Sequence, residues 1–229
     1  MAFITCQHMY KKYPGTDWIF YNAGLSIEQG QFLFVLGNSG SGKTTFIKIL
    51  CGQEGYDRGR IFVKNRNFRN IRRKHLHLWR RTLGVVFQDF RLLEDRTVKE
   101  NIALPLVITG FGKKEVIDRV NAVLKLVDLQ HRADVPCKLL SGGEQQRVAI
   151  GRAIVHGPEL ILADEPTGSL DDDHTRRILQ LFTTLHRRGL TVVIATHDRR
   201  LPLAVKGCRT VMIRDKNFVD VVPVKRTNK

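Results

Sequence analysis

Eight consecutive residues, Gly37-Asn38-Ser39-Gly40-Ser41-Gly42-Lys43-Thr44, have the types and spacing of a phosphate-binding loop. An apolar run, Phe32 to Leu36, precedes them, and a helical pattern, Thr45 to Leu50, follows, with Gly52 as its stop. Glycines let the backbone wrap tightly, so that successive N–H groups point at a β-phosphate. The positive end of the next helix adds to that field. Lys43 is placed to bridge β- and γ-phosphates, and the Thr44 hydroxyl to ligate Mg²⁺. A chance glycine turn would bring neither the strand before it nor the helix after it. The chemistry implied is binding of a nucleoside triphosphate with Mg²⁺, with residues 37–45 as the cradle.

A second run, Leu160-Ile161-Leu162-Ala163-Asp164-Glu165, ends in two adjacent carboxylates. Asp164 would act on the metal through its water shell, and Glu165 is the candidate general base for the attacking water. By itself the pair could be a solvated turn; the phosphate loop decides against that. Ser141 and Glu144 have the S-x-x-E spacing of a capping box, and Gly142 and Gly143 between them leave a helix N-terminus open to a phosphate. Taken alone, a bare helix cap is the commoner explanation. His197 follows the apolar run Thr191 to Ala195, and a lone histidine there is more often structural than catalytic.

These residues need a scaffold. Phe32 to Leu36, Leu160 to Ala163 and Thr191 to Ala195 are apolar on both faces, the pattern of parallel strands covered on both sides by helices. Each ends beside a residue able to do chemistry, so the active edge is expected at the carboxyl ends of the strands. Lys113 to Val127 carries Val116, Ile117, Val120, Val123, Leu124 and Val127 at helical spacing and reads as part of a helical lobe. With 229 residues, no Pro-, Gly- or Ser-rich linker and one set of nucleotide motifs, the chain reads as one domain with a lobe. No run of about 18 apolar residues is present and the first residues lack a signal-peptide pattern, so the expected place is the cytosol. Cys6, Cys51, Cys137 and Cys208 stand singly and read as buried reduced thiols. Lys plus Arg outnumber Asp plus Glu by 38 to 22, a formal charge of +16 that favours an anionic partner: nucleotide, nucleic acid or an anionic membrane leaflet.

Leu140-Ser141-Gly142-Gly143-Glu144, followed by Gln145-Gln146-Arg147, resembles the signature motif of the ABC ATPase family. The family's other motifs follow in order. Gln88, in Val86-Phe87-Gln88-Asp89, resembles the Q-loop glutamine that senses Mg²⁺ and water. Ser169-Leu170-Asp171, after Pro166-Thr167-Gly168, resembles the D-loop, with Ser169 where Asn is familiar. His197 resembles the switch histidine at the γ-phosphate. Tyr13 resembles the aromatic that stacks on adenine, although beside Lys11 and Lys12 it could simply be a surface residue.

The resemblance implies ATP and Mg²⁺ as cofactors and catalytic roles for Lys43, Gln88, Glu165 and His197. It also implies nucleotide contacts from Tyr13, residues 37–45, Ser141, Gly142, Gly143 and Asp171, and metal contacts from Thr44, Gln88 and Asp164. The implied fold class is an α/β P-loop NTPase with a mainly parallel central sheet, an N-terminal antiparallel β subdomain and a helical lobe. The lobe is expected at about 89–158, inserted in a core of 1–88 and 159–220, with a tail at 221–229. In this family the signature does not reach the phosphate loop of its own chain. The implication is a head-to-tail homodimer in which Ser141, Gly142 and Gly143 of one subunit cap the γ-phosphate held by the other.

Within the family, Gln88-Asp89-Phe90-Arg91-Leu92-Leu93 and Gly142-Gly143-Glu144-Gln145-Gln146-Arg147 resemble the bacterial cell-division subgroup, with similarity from about Phe3 to Arg214. Lipoprotein-release and macrolide-export ATPases are the alternatives. The subgroup implies an integral membrane partner as a separate chain, the cytoplasmic membrane face at the division septum, and control of peptidoglycan hydrolases. The basic stretch 64–81, with Phe68 and Trp79 interleaved, reads as a solvated face near anionic headgroups, ahead of a nucleic-acid surface.

Overall fold

The structure, a computed structural model, describes residues 2–64, 66–71, 75–168 and 170–221. Arg72, Arg73 and Lys74 of the basic stretch, Ser169 of the D-loop segment and residues 222–229 of the expected tail lie outside the described residues.

All three apolar runs are strands, and they are neighbours: β3 (Phe32–Leu36), β7 (Leu160–Asp164) and β8 (Thr191–Thr196). Together with β6 (Leu83–Val86), β9 (Arg209–Arg214) and β10 (Asn217–Asp220) they form a sheet ordered β10-β9-β3-β8-β7-β6. Every pairing is parallel except that of β9 with β10. Register sets Leu36 beside Thr196 and Asp164 beside Ala195, so three strands end at one edge of the sheet.

Side chains alternate across that sheet and fill two cores. Phe32, Phe34, Ile161, Ala163, Val192 and Ile194 face the first, under α6 (Asp172–Arg187) and the helical lobe. That lobe is built from α3 (Val98–Ile108), α4 (Lys113–Leu126) and α5 (Gly142–Ile154). Leu33, Val35, Leu160, Leu162, Val193 and Ala195 face the second core. There α1 (Lys43–Leu50) lies between the central sheet and an antiparallel one, ordered β2 (Trp18–Glu28), β1 (Ala2–Lys12), β4 (Arg58–Val63) and β5 (Arg66–Asn67). Wholly buried on α1, Phe46 packs against Phe20 and Phe218, with ring centroids 6.3 and 4.7 Å away. The phosphate loop therefore rests on a helix anchored from two sheets.

Asn101, fully buried on α3, staples the turn entering the lobe. Its side-chain oxygen accepts from Leu93 N at 2.9 Å, and its amide donates to the carbonyls of Leu93 and Thr97 at 3.0 and 3.1 Å. From α5, Arg152 donates to the carbonyls of Phe90 and Arg91 at 2.7 and 2.6 Å. Those two residues both hold left-handed backbone, so this guanidinium fixes a segment that would otherwise relax.

Trp79 does not belong to the solvated basic face on which its neighbours place it. It sits on the short α2 (Leu76–Arg80), is 8% exposed, and donates its indole N–H to Leu50 O at 2.7 Å. Of the four free cysteines, three are buried and Cys208 is half-buried; burial pushes the thiols of Cys6 and Cys51 up to about 12. Among the described residues no helix is long and apolar enough to cross a membrane.

Truncating Phe46 to Ala should remove about 3–5 kcal/mol of stability, read as a shift in the urea midpoint. Because Phe46 lies three residues beyond Lys43, nucleotide binding should weaken in the same variant even where it is still folded.

Candidate active site

The phosphate loop joins β3 to α1, and its shape depends on Gly42. That residue N-caps α1 at φ 103°, and a Cβ there would come within 2.5 Å of the Ile19 side chain. Lys43 is only 7% exposed and donates to Gly37 O at 2.8 Å and Asn38 O at 3.2 Å, so its ammonium is folded back over its own loop. A groove of about 520 Å³ opens there. Asn38, Ser39, Gly40, Gly42, Lys43, Thr44 and Thr45 line it on one side, with Gln88, Glu165 and His197 on the other.

Glu165 is the residue on which these elements converge. It follows β7 at φ 46°, left-handed backbone that costs a non-glycine residue roughly 1–2 kcal/mol. The turn is held by its own N–H, which donates to Ala195 O at 2.8 Å. Its Oε1 lies 3.0 Å from His197 Nδ1 and 3.3 Å from Lys43 Nζ. Its Oε2 accepts from the Thr196 hydroxyl at 3.0 Å and from His197 N at 3.3 Å. Burial by itself would raise the pKa of this carboxyl. Hydrogen bonds from His197 and Thr196 and the charge of Lys43 outweigh it and hold the group below its ordinary range.

Asp164, one residue earlier, has the opposite environment. Burial raises its pKa, the Glu165 charge adds to the effect, and the Thr44 hydroxyl and the charges of Lys43 and Lys48 oppose it. Its Oδ1 is buried with no hydrogen-bond partner, an arrangement that calls for a further ligand. Thr44, Gln88 and Asp164 together line a cavity of about 440 Å³ that shares Thr44 and Gln88 with the groove. A hydroxyl, an amide oxygen and one carboxylate form an all-oxygen set suited to Mg²⁺, whose remaining ligands come from water and phosphates.

Other expected residues lie elsewhere. Tyr13 lines a neighbouring cavity of about 460 Å³ with Gly40 and Ser41; the Lys11 ammonium stands 4.6 Å from its ring centroid and Glu54 3.5 Å from its hydroxyl. Ser141 N-caps α5 in a complete capping box: Glu144 N donates to Ser141 Oγ at 3.3 Å, and Ser141 N donates to Glu144 Oε2 at 2.9 Å. Ser141, Gly142 and Gly143 do not line the groove of their own chain. Neither does Asp171, whose carboxylate N-caps α6 by accepting from His174 N at 2.8 Å. Two residues escape sequence reasoning, Ile19 in the groove lining and Thr196 behind it as a partner of Glu165. Ile19 is a lone apolar residue with no local signal, and Thr196 is distinguished only by standing next to His197.

The sequence matches the ABC transporter family over residues 20–168, and the chain belongs to that family; it is an ATP-binding ATPase of the ABC type. Among its relatives is the cell division ATP-binding protein FtsE of Bacillus subtilis, 40% identical over 93% of this chain and 92% of that one. FtsE of Escherichia coli is 41% identical over 86% of this chain and 89% of its own length. Among solved structures, a dimeric post-hydrolysis state of the ATP-binding cassette MJ0796 with ADP and phosphate superposes with a TM-score of 0.85. It is 32% identical, over 95% of this chain and 97% of the other.

Thr196→Val removes one hydrogen bond to an ionised carboxylate while keeping the side chain's shape. ATP turnover should fall about tenfold, the equivalent of about 1.4 kcal/mol, with nucleotide affinity little changed. Steady-state kinetics beside equilibrium nucleotide binding would check this.

Proposed function

We propose that the chain is the ATP-driven clamp of a cell-division complex: two copies close head to tail over two ATP molecules and transmit the closure to a membrane partner of the FtsX type. The observation that carries the clamp is the separation within one chain of Ser141, Gly142 and Gly143 from the groove holding Lys43, Glu165 and His197. A second copy placed head to tail supplies the missing face. The MJ0796 structures are dimeric, which supports pairing of two such chains. The cell-division role rests on the likeness to FtsE over most of the chain.

In this reading Lys43 and the loop N–H groups hold the β- and γ-phosphates, and Tyr13 stacks on the base. Thr44, Gln88 and Asp164 hold Mg²⁺, which when bound neutralises phosphate charge. Glu165 orients the attacking water and accepts its proton, with His197 at the γ-phosphate. The partner would dock on the helical lobe, where Val107 and Ile108 at the end of α3 and Leu139 ahead of α5 stand exposed. Such docking sets the chain at the cytoplasmic face of the membrane, at the septum, where its cycle would govern peptidoglycan hydrolases.

Glu165→Gln keeps the shape and removes the base. The variant should form a stable dimer with ATP and turn over more than about 100-fold more slowly, read by light scattering and phosphate release. A variant that stays monomeric with ATP or hydrolyses at the wild-type rate overturns the assignment. Co-purification with an FtsX-type partner tests the complex; capture instead by a lipoprotein-release permease would place the chain in that transport class.

Burial raises the pKa of Asp164, so protons compete with Mg²⁺ there at a higher pH than at an ordinary carboxylate. Lowering the pH from about 7 to about 5 should weaken Mg²⁺ binding more than an ordinary carboxylate predicts, with proton release on titration. Glu165 has the opposite sign. Its lowered pKa stabilises the fold above the ordinary value of 4.5, and that contribution is lost as pH falls through the folded value.

A further inference from the structure

We infer that His174 is a positioning residue that sets the signature glycine Gly143 against the D-loop of the same chain. Two contacts define it. First, its Nδ1 lies 2.9 and 2.8 Å from the two carboxylate oxygens of Asp171. A carboxylate only accepts, so Nδ1 carries the proton and the ring is fixed in place. Second, the other edge of that ring lies against the first turn of α5: a Cβ built on Gly143 would stand 2.2 Å from His174 Cδ2 and 2.9 Å from Nε2. No side chain fits between them. Leu170 reaches the same turn, 3.9 Å from a Cβ built on Gly142.

The chain of contacts is short. Glu165 begins the turn after β7, and Gly168 N donates back to Glu165 O at 3.2 Å. Leu170 N donates to Thr167 O at 3.1 Å, and Asp171 holds His174. A displacement at the hydrolytic carboxylate is thereby carried to the helix N-terminus that, in the head-to-tail reading on which this consequence rests, faces the other subunit's ATP. Asp171 also N-caps α6. Its carboxylate thus fixes both the start of that helix and the ring that registers α5.

Hydrogen exchange on the full, nucleotide-free chain tests the positioning without needing a dimer. In His174→Ala, amides of the segment 140–150 should exchange about fivefold faster, with those of 43–50 unchanged. His174→Asn keeps a donor for Asp171 but has no ring, so it should loosen 140–150 equally while leaving 172–187 protected. Wild-type protection of 140–150 in either variant overturns the inference, as does an increase spread evenly over the whole chain. In steady state, His174→Ala should lower kcat about fivefold while the single subunit binds ATP as before; unchanged kcat, or lost subunit binding, contradicts the functional link. A wild-type chain that never dimerises with ATP would count against the clamp and leave the exchange result to decide the role of His174.

Discussion

The charge on Glu165 is the constraint to which the rest of the molecule answers. Eleven per cent exposed and in left-handed backbone, this carboxylate pays for burial only because Lys43, Thr196 and His197 converge on it. Three strand ends supply the cluster: Lys43 opens α1 after the loop that follows β3, Thr196 and His197 stand at the end of β8, and Glu165 itself at the end of β7. They meet because the parallel register sets Leu36 beside Thr196 and Asp164 beside Ala195. A one-residue slip would turn every side chain of the strand to the opposite core and scatter the cluster.

Adjacent carboxylates with opposite environments divide the work. Asp164 is buried with an unpartnered oxygen and a raised pKa, the condition of a group waiting for a cation. Glu165 is held below the ordinary carboxylate range by its partners, and in the proposed cycle it is the group that takes a proton from the attacking water. Lys43 is bonded to two loop carbonyls and stands beside Glu165, so cationic and anionic groups satisfy one another. The helical lobe answers to the same centre through Arg152, which holds the carbonyls of Phe90 and Arg91 just beyond Gln88.

Much of this was legible in the sequence, because the informative signals are local. The phosphate loop, the three doubly apolar strands and the Ser141–Glu144 capping box depend on residues within a few positions of each other, and each stands where the spacing predicts it. What escaped depends on pairs far apart in the chain. Trp79 is buried by Leu50, twenty-nine residues away; Ile19 reaches Gly42 only because β2 folds over α1; Thr196 serves Glu165 across thirty-one residues. The place of His174 on Gly143 has the same cause. Sequence spacing cannot report that α5 and α6 begin side by side.

In the proposed clamp each ATP site is shared between two chains, and complementation between two inactive chains measures that sharing. One chain carries Lys43→Ala and the other a bulky substitution of Gly143, each measured alone and then mixed in equal amounts. If the site is shared, the mixed dimer unites an intact loop with an intact signature, and ATPase activity should return to about a quarter of the wild-type level. Activity no higher in the mixture than in either chain alone, with mixed dimers shown to form, would rule out a shared site.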